Sequence, residues 1–258
     1  MLRSPAPAGK IALSAAVAAA WQAGSLAPPA ERSPPDRPAR PARPLLLLPG
    51  AMPKRRAGGT HATRVAVLHA LAHIELNAID LAWDIIARFA GESLPRGFYD
   101  DWVQVAAEEA KHHGLLAARL EALGAAYGDL PAHDGLWQAA EATAHDLLAR
   151  LAVVPLVLEA RGLDVTPAMI ERLERSGDGE SAAVLRVIYA DEIGHVAVGS
   201  RWFAWLCAAR GLPPETTYHA LVRRHFKGAL KPPFNRDGRD AAGLAAGFYE
   251  PLAAEAAT

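Results

Sequence analysis

The stretch Asp191-Glu192-Ile-Gly-His195 repeats, 83 residues further along the chain, the pattern of Glu108-Glu109-Ala-Lys-His112. In each stretch a Glu and a His are three residues apart, which places both side chains on one face of an α-helix. Two more glutamates on apolar helix faces, Glu75 and Glu159, are 84 residues apart. One helix-pair pattern therefore occurs twice in the chain, and chance does not readily produce such a repeat.

Carboxylates are rarely buried in proteins unless they are paired or bind a metal. One Glu from each of two helices, with a Glu-x-x-His step from each of two others, is the inward-facing ligand set of a carboxylate-bridged di-iron or di-manganese helical bundle. Oxygen and imidazole ligands favour iron first and manganese second. The sequence thus predicts two metal ions held by Glu75, Glu109, His112, Glu159, Glu192 and His195. The alternative, a bundle in which these groups form buried ion pairs without metal, would be costly.

The chain beyond Thr60 is rich in Ala, Leu and Glu and has helical periodicity, so the predicted fold class is all-α. Gly and Pro residues and possible N-caps delimit the helices. We expect helices at about 61–90, 97–123, 135–162, 167–176, 180–211 and 214–227, and a further one at 238–256.

The chain divides into four predicted segments. Residues 1–26 are predicted to form an N-terminal amphipathic helix. Residues 27–59 are predicted to form an extended strap, because recurrent prolines exclude a helix there. Residues 60–211 would form the di-metal bundle, and 212–258 a C-terminal helical extension.

Composition limits the function classes. A net charge of −1 argues against a general binder of nucleic acid or of anionic membranes. One cysteine, Cys207, excludes a disulfide framework and suits a reducing cytosol, so we expect a cytoplasmic protein. The apolar stretch 11–21 is too short to span a membrane, and a signal peptide is the less favoured alternative for it.

Other polar residues near the predicted ligands could support the chemistry. A metal-bound histidine usually donates its other ring N–H to a carboxylate. Glu108 and Asp191, each adjacent to a ligand Glu, could accept such a bond, or could lie on a solvated helix face. Tyr189, one turn before Glu192, could line the site or pass an electron, or be a core tyrosine with a bonded hydroxyl. The basic segment 223–236 could guide a nucleic acid or an anionic substrate, although a solvated loop is the favoured interpretation.

At these residues the sequence resembles the ferritin-like superfamily, which includes rubrerythrins, bacterioferritin, di-iron hydroxylases and the radical-generating subunit of ribonucleotide reductase. A closer likeness is carried by four stretches: His73-Ile-Glu75-Leu-Asn77-Ala-Ile-Asp80, Ala107-Glu108-Glu109-Ala-Lys111-His112, Pro131-Ala-His133-Asp134-Gly135-Leu-Trp137 and Asp191-Glu192-Ile-Gly-His195-Val. At these stretches the chain resembles a bacterial ferritin-like family that carries only a domain-of-unknown-function name. The resemblance implies a ferritin-like four-helix bundle, with a proline-rich N-terminal strap and extra C-terminal helices, that carries the six ligands named above.

These observations predict an oxidoreductase whose two irons activate O₂ to hydroxylate or otherwise oxidise an organic substrate, an unknown small molecule. The competing class is ferroxidase, peroxidase or manganese-catalase activity without an organic substrate, and a metal-stabilised scaffold is a third. With one cysteine the chain cannot carry a four-thiolate iron site, so an external electron donor is expected. We expect a monomer or small homo-oligomer.

Overall fold

The computed structural model describes residues 1–29, 34–53 and 60–255. The parts of the predicted strap at 30–33 and 54–59, and the last three residues of the predicted C-terminal extension, lie outside the described residues. Regular structure in the described part is helical, and its strand-like pairing is an isolated bridge between Leu46 and Ala132. The all-α prediction is confirmed.

The helices are α1 (Pro7–Gln22), α2 (His61–Arg88), α3 (Arg96–Ala122), α4 (Gly135–Ala142), α5 (Leu147–Val153), a π-helical segment (Val154–Glu159), α6 (Ala160–Arg175), α7 (Gly179–Ala209), α8 (Pro214–His225), α9 (Arg236–Ala241) and α10 (Ala246–Glu255). A single turn of 3₁₀-helix occupies Pro49–Ala51. The chain forms two compact units, Met1–Gln138 and Ala139–Thr258.

The first unit is built on the antiparallel pair α2 and α3, with α1 packed against both. Thr60 caps α2, and its side chain accepts a hydrogen bond from the backbone N–H of Thr63. The buried face of α1 is not purely apolar, because two of its residues are polar. Lys10 donates to Asp80 of α2 (Nζ–Oδ1 2.7 Å), and Ser14 accepts from Trp83 of α2 (Oγ–Nε1 2.8 Å). Polar bonds as well as apolar contacts therefore hold α1.

The segment between α3 and α4 runs back along α2. The backbone N–H of Gly128 donates to His69 (2.9 Å), and the carbonyl of His133 accepts from His73 (3.1 Å). The strap contacts the same segment, because Ala132 forms backbone hydrogen bonds with Leu45 and Leu47. The side chains of Leu45 and Leu48 are nevertheless exposed, so backbone hydrogen bonds hold this part of the strap to the segment.

The second unit differs from the helices predicted for it in three places. The predicted helix 135–162 is broken between α4 and α5, where the Thr143 hydroxyl donates to the Ala139 carbonyl and Asp146 caps α5. The predicted helix start at Pro167 is wrong, because α6 begins at Ala160 and continues through Pro167. The predicted helix 238–256 is two helices, separated at Gly243, whose φ of +68° ends α9.

Helix α2 is long and apolar enough to cross a membrane by length and composition. However, 67% of its most apolar window is buried inside the protein. That burial is the pattern of a core helix in a soluble protein.

Candidate metal centre

The first half of the candidate centre lies in the α2–α3 pair. Glu75 on α2 and Glu109 and His112 on α3 are all buried, with His112 and Glu109 completely so. The Nδ1 atom of His112 lies 3.5 Å from the Oε2 atoms of both glutamates. Two antiparallel helices thus bring three buried candidate ligand groups together, because Glu75 and Glu109 lie about equally far along the chain from the turn between the helices.

The electrostatics of this half depend on the balance between burial and the two carboxylates. Burial by itself lowers the pKa of His112, but hydrogen bonding and Coulomb attraction from Glu109 and Glu75 outweigh it and raise this pKa to about 10. Without metal the imidazole is therefore protonated at neutral pH and neutralises one of two carboxylate charges. A divalent cation in place of that proton would offset the remaining buried negative charge.

The second half lies on α7 and repeats the first. The Nδ1 atom of His195 lies 3.4 Å from Oε1 of Glu192, and His195 is buried. In both halves it is therefore the same ring nitrogen, Nδ1, that faces the carboxylate three residues earlier. If Nδ1 binds a metal, Nε2 is the ring nitrogen that a supporting acceptor would bond.

Glu159, the remaining predicted ligand, is the last residue of the π-helical segment, and one of its carboxylate oxygens is shielded from solvent. π-Helical turns are rare and are frequent at functional sites. The backbone of α7 approaches this segment closely at Gly199, where an added Cβ would lie 2.5 Å from Cβ of Pro155. Gly199 is one turn after His195, and Pro155 is one turn before Glu159. The absent side chain at Gly199 thus lets the helix of His195 pack beside the segment of Glu159.

Glu109 and His112 in the first unit, and Glu192 and His195 in the second, are Glu and His residues that could hold a metal ion, each offering one ligand atom. Carboxylate oxygen and imidazole nitrogen suit iron, manganese or zinc more than a soft metal. The donor set and its burial thus fit a bound divalent cation.

The other histidines of the first unit have structural partners. His113, next to His112, donates from Nδ1 to the backbone carbonyl of Ala72 (2.8 Å), and His73 bonds to the hydroxyl of Tyr127 (2.8 Å). Burial is the largest influence on His73 and lowers its pKa to about 4, so it is neutral. Both histidines thus take part in hydrogen bonds within the first unit.

The three supporting residues predicted from sequence are half-buried. Glu108 accepts a hydrogen bond from Gln104 of its own helix (Oε1–Nε2 2.8 Å). The hydroxyl of Tyr189 accepts from Asn235 (Nδ2 2.8 Å), so this tyrosine faces the C-terminal extension. Asp191 precedes Glu192 on α7. A role in the chemistry stays a prediction for all three.

Sequence reasoning missed a second cluster of charged residues in the second unit, where Arg239 of α9 pairs with Asp164 of α6 through two bonds (Nε–Oδ1 2.8 Å and Nη2–Oδ2 2.7 Å). The signal available in the sequence was the basic segment 223–236, which leads into α9.

Comparison with known proteins places the chain in a family. The profile of the family described as "Protein of unknown function (DUF455)" matches residues 3–250. The chain belongs to this family. A Haemophilus influenzae protein, described as uncharacterized, is 44% identical over 211 residues, which cover 78% of this chain and 72% of the relative. No solved structure matches the chain.

Proposed function

We propose that the chain is a non-haem di-iron oxidoreductase of the ferritin-like type, which activates O₂ to oxidise an organic substrate. The observation that carries this proposal is the repeated Glu–His pair, with Nδ1–Oε distances of 3.5 Å on α3 and 3.4 Å on α7. Glu75 and Glu159 complete the six proposed ligands. This ligand set is the one that builds carboxylate-bridged dinuclear centres in helical bundles.

Iron is the metal that we propose first, and manganese second. Four carboxylates and two imidazoles balance two divalent cations, while the absence of thiolate from the ligand set disfavours a soft metal. Cys207 is buried and its thiol pKa is raised by burial, so it stays a neutral thiol. The bound metals would supply the O₂ chemistry.

The residues of the chain bind and position these metals and keep water away. In the first half, complete burial of Glu109 and His112 excludes solvent from the ligand atoms. In both halves Nδ1 would be the metal-binding nitrogen, so Nε2 would carry the ring proton and donate it to an acceptor. Glu108 and Asp191 are the proposed acceptors, and Tyr189 is proposed to act in electron transfer. The electrons would come from an external donor, in the cytoplasm.

Anaerobic loading with Fe(II) followed by a pulse of O₂ tests this proposal. With excess reductant, O₂ consumption should rise when a suitable organic substrate is added, and an oxidised product should form in proportion. Oxidation of Fe(II) by O₂ with no such dependence on any organic compound would instead support ferroxidase activity. Disproportionation of hydrogen peroxide by the manganese-loaded protein would support catalase activity.

A further inference from the structure

A cavity of about 310 Å³ lies in the second unit between α6, the segment after α8, and α9. Leu158 and Arg161, which flank the candidate ligand Glu159, line one wall. Phe226, Leu230 and Phe234 provide an apolar surface, while Lys231 and Arg239 add two positive charges. The cavity thus combines an apolar wall with basic side chains, and its size is at the lower end for small-molecule sites.

The side chains that line the cavity carry a net positive charge. Asp164 is the acidic residue of the lining, and its side chain is completely buried. Its carboxylate accepts from Arg239 twice, from Arg161 at 3.4 Å and from the backbone N–H of Asn235 at 3.0 Å. Its single negative charge is therefore matched by Arg239. Arg161 and Lys231 leave an excess of two positive charges on the lining.

One donor in this cluster lacks an acceptor. The Nη1 atom of Arg239 is shielded from solvent and has no hydrogen-bond partner in the part of the chain that the structure describes. The guanidinium is held in place by its bonds to Asp164 and by the ring of Tyr249, 4.3 Å away. A buried charged donor without an acceptor is costly and is rare unless a ligand or water supplies one. It therefore points to an acceptor supplied from outside the chain.

We propose that this cavity binds a small organic anion, a carboxylate or phosphate on an apolar body. The acid group would lie against Lys231, Arg161 and the free nitrogen of Arg239, and the body against the aromatic wall. The inference goes beyond the proposed function and does not depend on it, because none of these side chains is a candidate metal ligand. If the metal centre is also present, the anion is the substrate class to test first.

Calorimetric titration with phenylacetate, phenyl phosphate and the neutral 2-phenylethanol tests the proposal, with the protein both chelator-treated and iron-loaded. Both anions, or one of them, should bind more tightly than the alcohol, and the stronger anion identifies the preferred acid group. Binding that is the same with and without iron supports the cavity even if the metal proposal fails. Equal affinity for the alcohol, or no heat from either anion at millimolar concentration, would overturn the proposal.

Two variants and a matched control locate the site. Lys231→Gln and Arg161→Gln should each weaken anion binding about five- to tenfold, since each removes one charged contact. Lys227→Gln makes the same charge change four residues away, on an exposed side chain that does not line the cavity, and should have less than about a twofold effect. If Lys227→Gln weakened anion binding as much as Lys231→Gln does, the binding would reflect general charge attraction. That result would contradict a specific site in the cavity. Arg239 is not replaced in this test, because its removal would leave the buried Asp164 carboxylate without the guanidinium that pairs with it.

Discussion

At the scale of single residues, the distinguishing feature is the direction in which neighbouring histidines face. His112 faces two carboxylates through Nδ1, whereas His113 faces away and bonds the carbonyl of Ala72. His195 repeats the arrangement of His112 beside Glu192. Replacement of residues one position apart should therefore have different effects on metal content.

We expect Glu109→Ala and Glu192→Ala each to empty at least one metal position, because each removes a ligand that no neighbour can replace. His113→Ala should destabilise the core by about 1–3 kcal/mol through loss of a buried hydrogen bond, yet keep the metal. Metal analysis after equilibration with Fe(II), with circular dichroism to check folding, makes the comparison. Equal metal loss in all three variants would contradict the assigned helix faces.

The closeness of Glu75, Glu109 and His112 on α2 and α3 could be predicted from the sequence, because helical periodicity fixes which side chains share a face. The partners of Asp164 and the cavity beside it could not, because they depend on contacts between residues about 75 positions apart that no local pattern encodes. The role of Tyr189 was left open for the same reason, since its partner Asn235 comes from a distant segment.

At the scale of elements, the long helices could be predicted to within about two residues because caps and helix breakers mark their ends. The prediction 61–90 corresponds to His61–Arg88, and 180–211 corresponds to Gly179–Ala209. The interval 135–176 could not be predicted as well. There, Pro167 lies inside α6, and the buried Leu163 and Leu173 keep that helix continuous. Pro155 lies inside a π-helical segment instead of bending an α-helix.

The close approach of α7 to the π-helical segment gives a prediction about Gly199. Gly199→Ala would put a methyl group 2.5 Å from Cβ of Pro155, so we expect a loss of stability of about 1–3 kcal/mol and weaker metal binding. Gly194→Ala on the same helix is the matched control, because its Cβ would meet nothing within 4 Å, and it should raise stability by up to about 1 kcal/mol. Thermal unfolding and metal analysis would measure both. Equal effects of the two substitutions would show that the approach at Gly199 has no role.

The attachment of α1 gives a second prediction at this scale. Lys10 and Asp80 form an ion pair with both side chains completely buried. Lys10→Met should cost about 3 kcal/mol, because it removes the buried ammonium that donates to the Asp80 carboxylate and leaves that carboxylate buried. Arg3→Met, on an exposed side chain of the same segment, should change stability by less than about 0.5 kcal/mol. Chemical denaturation checks both values, and a Lys10→Met variant as stable as the native chain would refute the claim that polar bonds hold α1.

At the scale of the whole molecule, each unit covers part of its helical surface with its own terminal elements. In the first unit α1 packs on α3, and in the second α8 packs on α5 and α7. A closed ferritin shell needs free bundle surfaces for contacts between many copies. We therefore expect light scattering after size exclusion to give a monomer or small oligomer. A shell of many chains that mineralises iron would contradict this expectation and favour the ferroxidase alternative.

The central claim is that the two Glu–His pairs, with Glu75 and Glu159, bind two metal ions in each chain. Its most direct test is the iron content of the purified protein after anaerobic equilibration with excess Fe(II) and removal of unbound metal. We predict about two iron ions per chain, since the ligand set is that of a dinuclear centre. A content that stays at zero, in protein that remains folded and in which Glu109→Ala changes nothing, would contradict the account.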